Sequence, residues 1–244
     1  MPRIVKSADV RKDEILDTAQ ALFAERGYAH TSVQAVIDAV GISKGAFYHH
    51  FRSKSEMLDA LIARLSDEAV AVLLPVVADP DVGAVDKFID FWRRLGAWKL
   101  ERRALMIGVR EGLQQDANAL LLLRQRKAAE DAYVPLLASI IREGVVEGTF
   151  DTPAAEQASR IVFQIGGTMS EAFSGAIFGA ARATVALADL EAIHEAHARA
   201  IERVLGASEG SLSLIDRAAL QEWLQAASHP SPPGSYIRSL EAVK

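Results

Sequence analysis

Apolar residues recur along most of this chain at intervals of three and four, the repeat that places them on one side of an α-helix. Ile15, Ala19, Leu22 and Phe23 mark such a side and predict a helix from about Val10 to Arg26, ended by Gly27. Val33, Val36, Ile37 and Val40 predict a short second helix, and Phe47 with Phe51 the inner side of a third. Beyond residue 54, amphipathic helices are expected over 55–74, 83–100, 103–114, 117–147, 153–179 and 186–205. Asp79-Pro80-Asp81, Gly148-Thr149 and the stretch from Gly179 to Thr184 separate them. Leu214 to Ala227 predicts one more helix with Leu220, Trp223 and Leu224 on one side, and Ser228 to Ser235 a flexible, proline-broken tail. No alternating run rich in Val, Ile and Thr predicts a strand. The expectation is an all-α protein with an N-terminal three-helix domain (1–54), a larger helical domain (55–206) and a C-terminal extension (207–244).

Cap signals sharpen the region from Thr31 to Lys54. Thr31 and Gln34 have the spacing of a capping box, as do Ser53 and Glu56. Ser43 is placed to cap the third helix, with Ile42 and Phe47 at the spacing of a hydrophobic staple. Gly41 ends the helix before it. Two short helices joined by a glycine turn are the sequence form of a helix-turn-helix. With Phe47 and Phe51 held inward, the third helix offers Lys44, Gly45, Tyr48 and His49 outward. Gly45 is unfavourable in a helix by about 1 kcal/mol relative to Ala, and its missing side chain would let a groove wall or phosphate come close. Tyr, His, Thr and Lys side chains can donate to phosphate oxygens, and Lys can also reach guanine edges. Any one of these residues alone would suit a solvated face; their combination at this spacing points to DNA.

Composition adds bounds. The chain has 244 residues, half of them hydrophobic, enough for a sizeable core. It has no cysteine, which excludes disulfides and thiolate chemistry and suits a reducing cytoplasm. The N-terminus has no apolar run of signal-peptide type, and the apolar stretch from Ala69 to Ala78 is too short to span a bilayer. The net charge of −5 argues against a general nucleic-acid coat. Residues 1–54, however, hold eight Lys/Arg against six Asp/Glu, so the helix-turn-helix end is slightly basic in an acidic chain.

The segment from Arg11 to Leu58 resembles the DNA-binding domain of the TetR family of bacterial regulators. The likeness lies in Ile15, Ala19, Phe23, Gly27, Tyr28, Thr31, Gly41, Ile42, Ser43, Gly45, Tyr48, Phe51, Lys54 and Leu58, about a fifth of the chain. Ile37 departs from the pattern, which usually has Ala there. The resemblance implies a homodimer that binds a pseudo-palindromic operator in double-stranded DNA and is released by a small effector, most simply a repressor. It implies base contacts by Lys44, Gly45 and Ala46, phosphate contacts by Thr31, Tyr48, His49 and Lys54, and Ser43 as the recognition-helix cap. It further implies dimerisation through the helices at 153–179 and 186–205, where Gly166, Gly167, Ser170, Ser174, Gly175 and Ala176 would permit close approach.

Aromatic and polar residues of the larger domain outline an expected effector pocket: Phe88, Phe91, Trp92, Trp98, Met106, Arg110, Tyr133, Phe163, Gln164 and Phe173. Most such residues serve core packing in any helical protein. Arg110, Gln164 and Glu171 are its polar candidates. Glu191, His194, Glu195 and His197 lie close on one helix but lack the His-Glu-x-x-His pattern of zinc hydrolases, and a solvated face is the preferred reading. No phosphate loop or nucleophile elbow is present. No metal, cofactor or catalytic residue is therefore expected. The alternatives are a helix-turn-helix regulator without a small effector and an all-helical enzyme.

Overall fold

The computed structural model describes residues 8–113, 119–178 and 185–228. Among these there are ten α-helices and no strand: α1 (Ala8–Arg26), α2 (Val33–Val40), α3 (Lys44–His50), α4 (Lys54–Ala78), α5 (Ala84–Glu101), α6 (Arg103–Leu113), α7 (Ala119–Glu147), α8 (Ala155–Phe178), α9 (Leu187–Leu205) and α10 (Arg217–Ser228). None of the described helices is long and apolar enough to cross a membrane. The expected breaker at Gly179 to Thr184 and nearly all of the expected tail lie outside the described residues.

Two helix ends differ from the sequence expectation. Helix α4 continues through Pro75 instead of stopping before it. A proline inside a helix removes a hydrogen bond, but Leu73 and Val76 on either side are buried, at 0% and 5% exposure, and hold the last turn in the core. Helix α10 begins at Arg217, not at Leu214, because the Asp216 carboxylate accepts from the Ala219 N–H at 2.8 Å and acts as the N-cap. Leu214, outside the helix, is buried together with Leu212.

The helices group into two compact units whose limits differ from the expected 1–54, 55–206 and 207–244. The first unit takes α1–α3, α4 up to Leu65, α6, and α7 up to Lys127. The second takes α4 from Ser66, α5, α7 from Ala128, and α8–α10.

In the first unit the core is Ile15, Leu16, Ala19 and Phe23 of α1, Val36 and Ile37 of α2, Phe47 and Phe51 of the α3 segment, and Met57, Leu58 and Leu61 of α4. Helix α6 joins this unit because Gly108 lets it touch the end of α1. The Tyr28 N–H donates to the Gly108 carbonyl at 2.9 Å, and a Cβ at Gly108 would overlap the Phe23 carbonyl. Across α1 and α4, the Arg64 guanidinium donates to Asp17 at 2.7 Å and to Gln20 at 2.8 Å.

The core of the second unit is aromatic. Phe88 packs edge-on against Phe150 and Trp92, and Phe91 against Trp92 and Tyr133. Tyr133 in turn meets Phe163, and burial pushes its hydroxyl pKa up to about 12. The buried Lys87 ammonium donates to both oxygens of Glu143, at 2.6 and 2.7 Å. Glu147 accepts from the Ala84 N–H at the start of α5. Helix α9 lies along α8, and α10 packs on both, so the extension's helix is part of this unit and not an appendage. Its core contact joins Leu190 of α9 to Leu220 of α10.

The approach at Gly108 gives a stability prediction. Gly108→Ala should destabilise the protein by roughly 1–3 kcal/mol through overpacking against backbone that cannot yield. Gly96→Ala, with nothing within 4 Å of its Cβ, should be neutral or stabilising by up to about 1 kcal/mol. Chemical denaturation of the two variants measures the contrast.

Candidate nucleic-acid interface and a pocket in the second unit

The candidate interface is α3, and its orientation follows from its ends and its inner side. Gly41 closes α2 in the left-handed conformation, φ 73°, and its N–H donates to the Ile37 carbonyl at 3.0 Å. Few other residues tolerate that φ, so the turn depends on glycine. Ile37 is buried beside it, and the α2–α3 turn closes with this larger residue in place. The Ser43 hydroxyl then accepts from the Ala46 N–H at 3.2 Å and caps α3. Phe47 and Phe51 are 0% and 2% exposed, their ring centroids 5.9 Å apart. The rest of the helix is thereby turned outward: Lys44, Gly45, Tyr48 and His49 are exposed and Ala46 half-buried. The Tyr48 ring leans edge-on against Phe47, centroids 5.4 Å apart.

His49 and His50 meet edge-to-face at 5.2 Å. The pKa of His50 is lowered, first by burial and then by His49, Arg11 and Lys12, with Asp9 opposing. Arg11 and Lys12 of α1 thus lie near enough to His50 for their charges to act on it, and they add positive charge from outside the 31–54 motif. Arg11 is paired with Glu14 at 2.8 Å, whereas Lys12 is exposed. The Lys54 ammonium sits 4.0 Å above the Tyr28 ring and 3.5 Å from the Ala29 carbonyl, and partial burial lowers its pKa. Lys54 is thus held at the start of α4 and does not extend freely into solvent.

Thr31 is corrected. The α2 cap is Ser32, whose hydroxyl accepts from the Ala35 N–H at 3.1 Å. Thr31 is 1% exposed and its hydroxyl donates inward, to the Gly27 carbonyl at 2.9 Å, with the Leu22 carbonyl at 3.4 Å. It fastens the end of α1 and does not present a donor to phosphate. Gln34 donates to Asp38 at 2.7 Å instead of closing a capping box. Adjacent Thr and Ser both fit the cap pattern, and only burial distinguishes them. At α4 the Ser53 hydroxyl accepts from the Glu56 N–H at 3.1 Å, while the Glu56 carboxylate reaches back to the Arg52 N–H at 2.6 Å.

The second unit contains a partly enclosed pocket with an empty volume of about 580 Å³, counting space open to solvent. Its walls come from α5 (Trp92, Leu95, Gly96, Lys99), α8 (Gly166, Met169, Ser170, Phe173, Ser174) and the C-terminal part (Ile215, Leu220, Trp223). Of the residues expected to line an effector site, the structure brings Trp92 and Phe173 together here. Phe88, Phe91, Trp98, Tyr133 and Phe163 are not among its walls; the first four are buried in the core, and Phe163 stands against Tyr133. Met106 belongs to the first unit. Gln164 is exposed on the outer side of α8, and the side chain of Arg110 lies outside the described ones. Gly166, expected at a dimer contact, is occupied from within: a Cβ there would overlap the Trp92 ring.

The polar cluster on α9 has other partners. Glu191 pairs with Arg217 at 2.5 Å, and His197 Nδ1 lies 2.7 Å from the Ile193 carbonyl. His194 Nε2 accepts from the Ile215 N–H at 3.2 Å and so ties down the strand-free stretch that leads into α10.

These features describe an all-helical protein with a helix-turn-helix head and a pocket in a separate helical unit. Residues 15–61 match the family model of bacterial regulatory proteins of the tetR family, and the N-terminal domain is a TetR-family helix-turn-helix domain. The chain is 43% identical over 67 residues to the HTH-type transcriptional repressor KstR2 of Mycobacterium tuberculosis, 28% of this chain and 34% of that protein. The match thus spans about a third of that relative's length. A longer match, 23% identical over 153 residues, covers 62% of this chain and 77% of the HTH-type transcriptional regulator UidR of Escherichia coli. Among solved structures, Salmonella enterica GusR aligns with a TM-score of 0.57 at 20% identity, covering 84% of this chain and 100% of that one. A transcriptional regulator from Cytophaga hutchinsonii aligns with a TM-score of 0.57 at 15% identity, covering 80% and 96%. These structural matches share the fold.

Two predictions follow from the geometry. Ser43→Ala should cost about 1 kcal/mol of stability, read from the denaturation midpoint. The second concerns His194, whose pKa is held below the ordinary 6.5, mainly by burial and also by His197, with Glu195 and Glu202 opposing. Folding favours the neutral ring, so its contribution is complete above about pH 6.5 and declines as the pH falls below it. Melting temperatures at pH 7.5 and 5.5 should separate more for the wild type than for His194→Gln, which accepts a hydrogen bond but does not titrate.

Proposed function

We propose that the protein is a DNA-binding transcriptional regulator, most simply a repressor, that binds a pseudo-palindromic operator as a homodimer and is released by a small apolar or amphipathic effector. The observation that carries this reading is the single outward face of α3, held by the Ser43 cap and by Phe47 and Phe51. On this reading Lys44, Gly45 and Ala46 approach base edges, while Tyr48, His49 and Lys54 meet phosphates, joined by Lys12 from α1. The protein acts in the cytoplasm by binding, without catalytic turnover. That the KstR2 and UidR relatives are transcriptional regulators supports the reading.

Dimerisation is assigned to α8 and α9. One side of α8 is exposed along Ile161, Gln164, Thr168, Glu171 and Gly175. It includes an isoleucine 49% exposed, and the Gly175 Cβ position meets nothing within 4 Å. On α9, Ala188, Ala192 and Ala196 form an exposed small-residue row. Surfaces of this kind suit close packing of a second copy. In such a dimer two α3 helices enter successive major grooves about 34–36 Å apart.

The test is a binding series on an operator found by genomic footprinting. Tyr48→Phe should weaken binding equally across operator variants, because a phosphate contact carries no sequence information. Lys44→Ala should lose roughly 1–3 kcal/mol at one base position and relax the preference there. Equal loss on every variant for Lys44→Ala would remove its base-reading role, and no footprint at all would overturn the proposal.

A further inference from the structure

The pocket walls are apolar except at a few atoms, and those atoms share one character. Lys99 is the one charged side chain among the described residues that line it. Lys99 is half-buried, burial lowers its pKa, and among the described residues no carboxylate pairs with it. The Trp92 indole N–H, on a side chain 8% exposed, has no hydrogen-bond partner. Ser170 and Ser174 add hydroxyls; that of Ser174 donates to the Ser170 carbonyl at 2.7 Å. The buried Trp92 N–H, left unpaired, costs about 1–3 kcal/mol in the empty protein. A ligand that supplies acceptors and negative charge recovers that energy.

We propose that this pocket takes a small amphipathic monocarboxylate, its headgroup paired with Lys99 and its aliphatic or aromatic body against Leu95, Met169, Phe173 and Trp223. The inference rests on the reading of the second unit as the effector-binding part of a regulator. The charge follows from the single ammonium. A monoanion holds Lys99 in its charged form and pairs with it, a dianion such as a phosphate ester would leave one charge unpaired among apolar walls, and a neutral ligand gains nothing from the ammonium. The body follows from the walls. Gly166 and Gly96 keep the floor low, since a side chain at Gly166 would displace the Trp92 ring. Helix α10, part of the C-terminal extension, closes the apolar end with Leu220 and Trp223.

The experiment uses the full chain and two matched pairs of probes, octanoate with 1-octanol and 3-phenylpropanoate with 3-phenylpropanol. Binding is followed by tryptophan fluorescence, since Trp92 and Trp223 line the pocket, and by calorimetry. At least one carboxylate should bind about tenfold or more tighter than its alcohol, a difference of about 1.4 kcal/mol. Lys99→Met should abolish that preference while leaving alcohol binding in place, and Lys99→Arg should keep it. Circular dichroism of both variants should match the wild type, because Lys99 is only half-buried and its stem and head can be replaced at the pocket edge without opening the core. Equal affinity for acid and alcohol, a preference that survives in Lys99→Met, or no carboxylate binding at millimolar concentration would each overturn the proposal. Operator release is read separately by gel shift. Lys99-dependent carboxylate binding without release would uphold the ligand class and overturn the regulatory reading of the pocket.

Discussion

Phe47 and Phe51 lie one turn apart on a helix of seven residues, and both are almost completely buried. A helix that short has little stability of its own, so its existence and its rotation both depend on those two rings finding the core formed by α1, α2 and α4. Once they are seated, the outward residues have no freedom to be others than Lys44, Gly45, Tyr48 and His49. The Gly41 turn and the Ser43 cap set where the helix begins; the phenylalanines set which way it faces. The outward face of α3 thus rests on a packing constraint and not on an excess of charge, in an acidic chain whose first 54 residues are only slightly basic.

Thr31 illustrates how packing and polarity exchange roles at this site. Its hydroxyl could have faced a phosphate, but it satisfies the carbonyls at the end of α1 from a position with almost no solvent contact. That leaves the neighbouring Ser32 to cap α2. The end of α1 is then fixed twice, by Thr31 from one side and by the Gly108 approach of α6 from another. Both arrangements need a small or compact residue at a defined point of backbone contact.

Helix α5 carries two lysines in environments of opposite logic. Lys87 is buried against Glu143, and its charge is matched within the fold. Lys99, three turns further on, borders the pocket with burial lowering its pKa and no matching carboxylate among the described residues. The same side-chain chemistry serves structure at one end of the helix and awaits a ligand at the other. The difference lies entirely in what the neighbouring helices place opposite each ammonium.

The helical character of the chain and the outward face of α3 were legible in the sequence because both are local. The three-and-four repeat of Ile15, Ala19, Leu22 and Phe23 needs only helix geometry to declare a buried side, and the Ser43 cap lies three residues from the amide it binds. The pocket was not legible in this way. Trp92, Lys99, Met169, Phe173, Leu220 and Trp223 come from three separate helices. Nothing in their spacing distinguishes them from Phe88, Phe91 and Tyr133, which packing consumed as core. The choice of Ser32 over Thr31, the membership of α6 in the first unit and the place of Lys99 at the pocket wall share the same cause. Each depends on which residue distant in sequence arrives nearby, and periodicity along the chain carries no information about that.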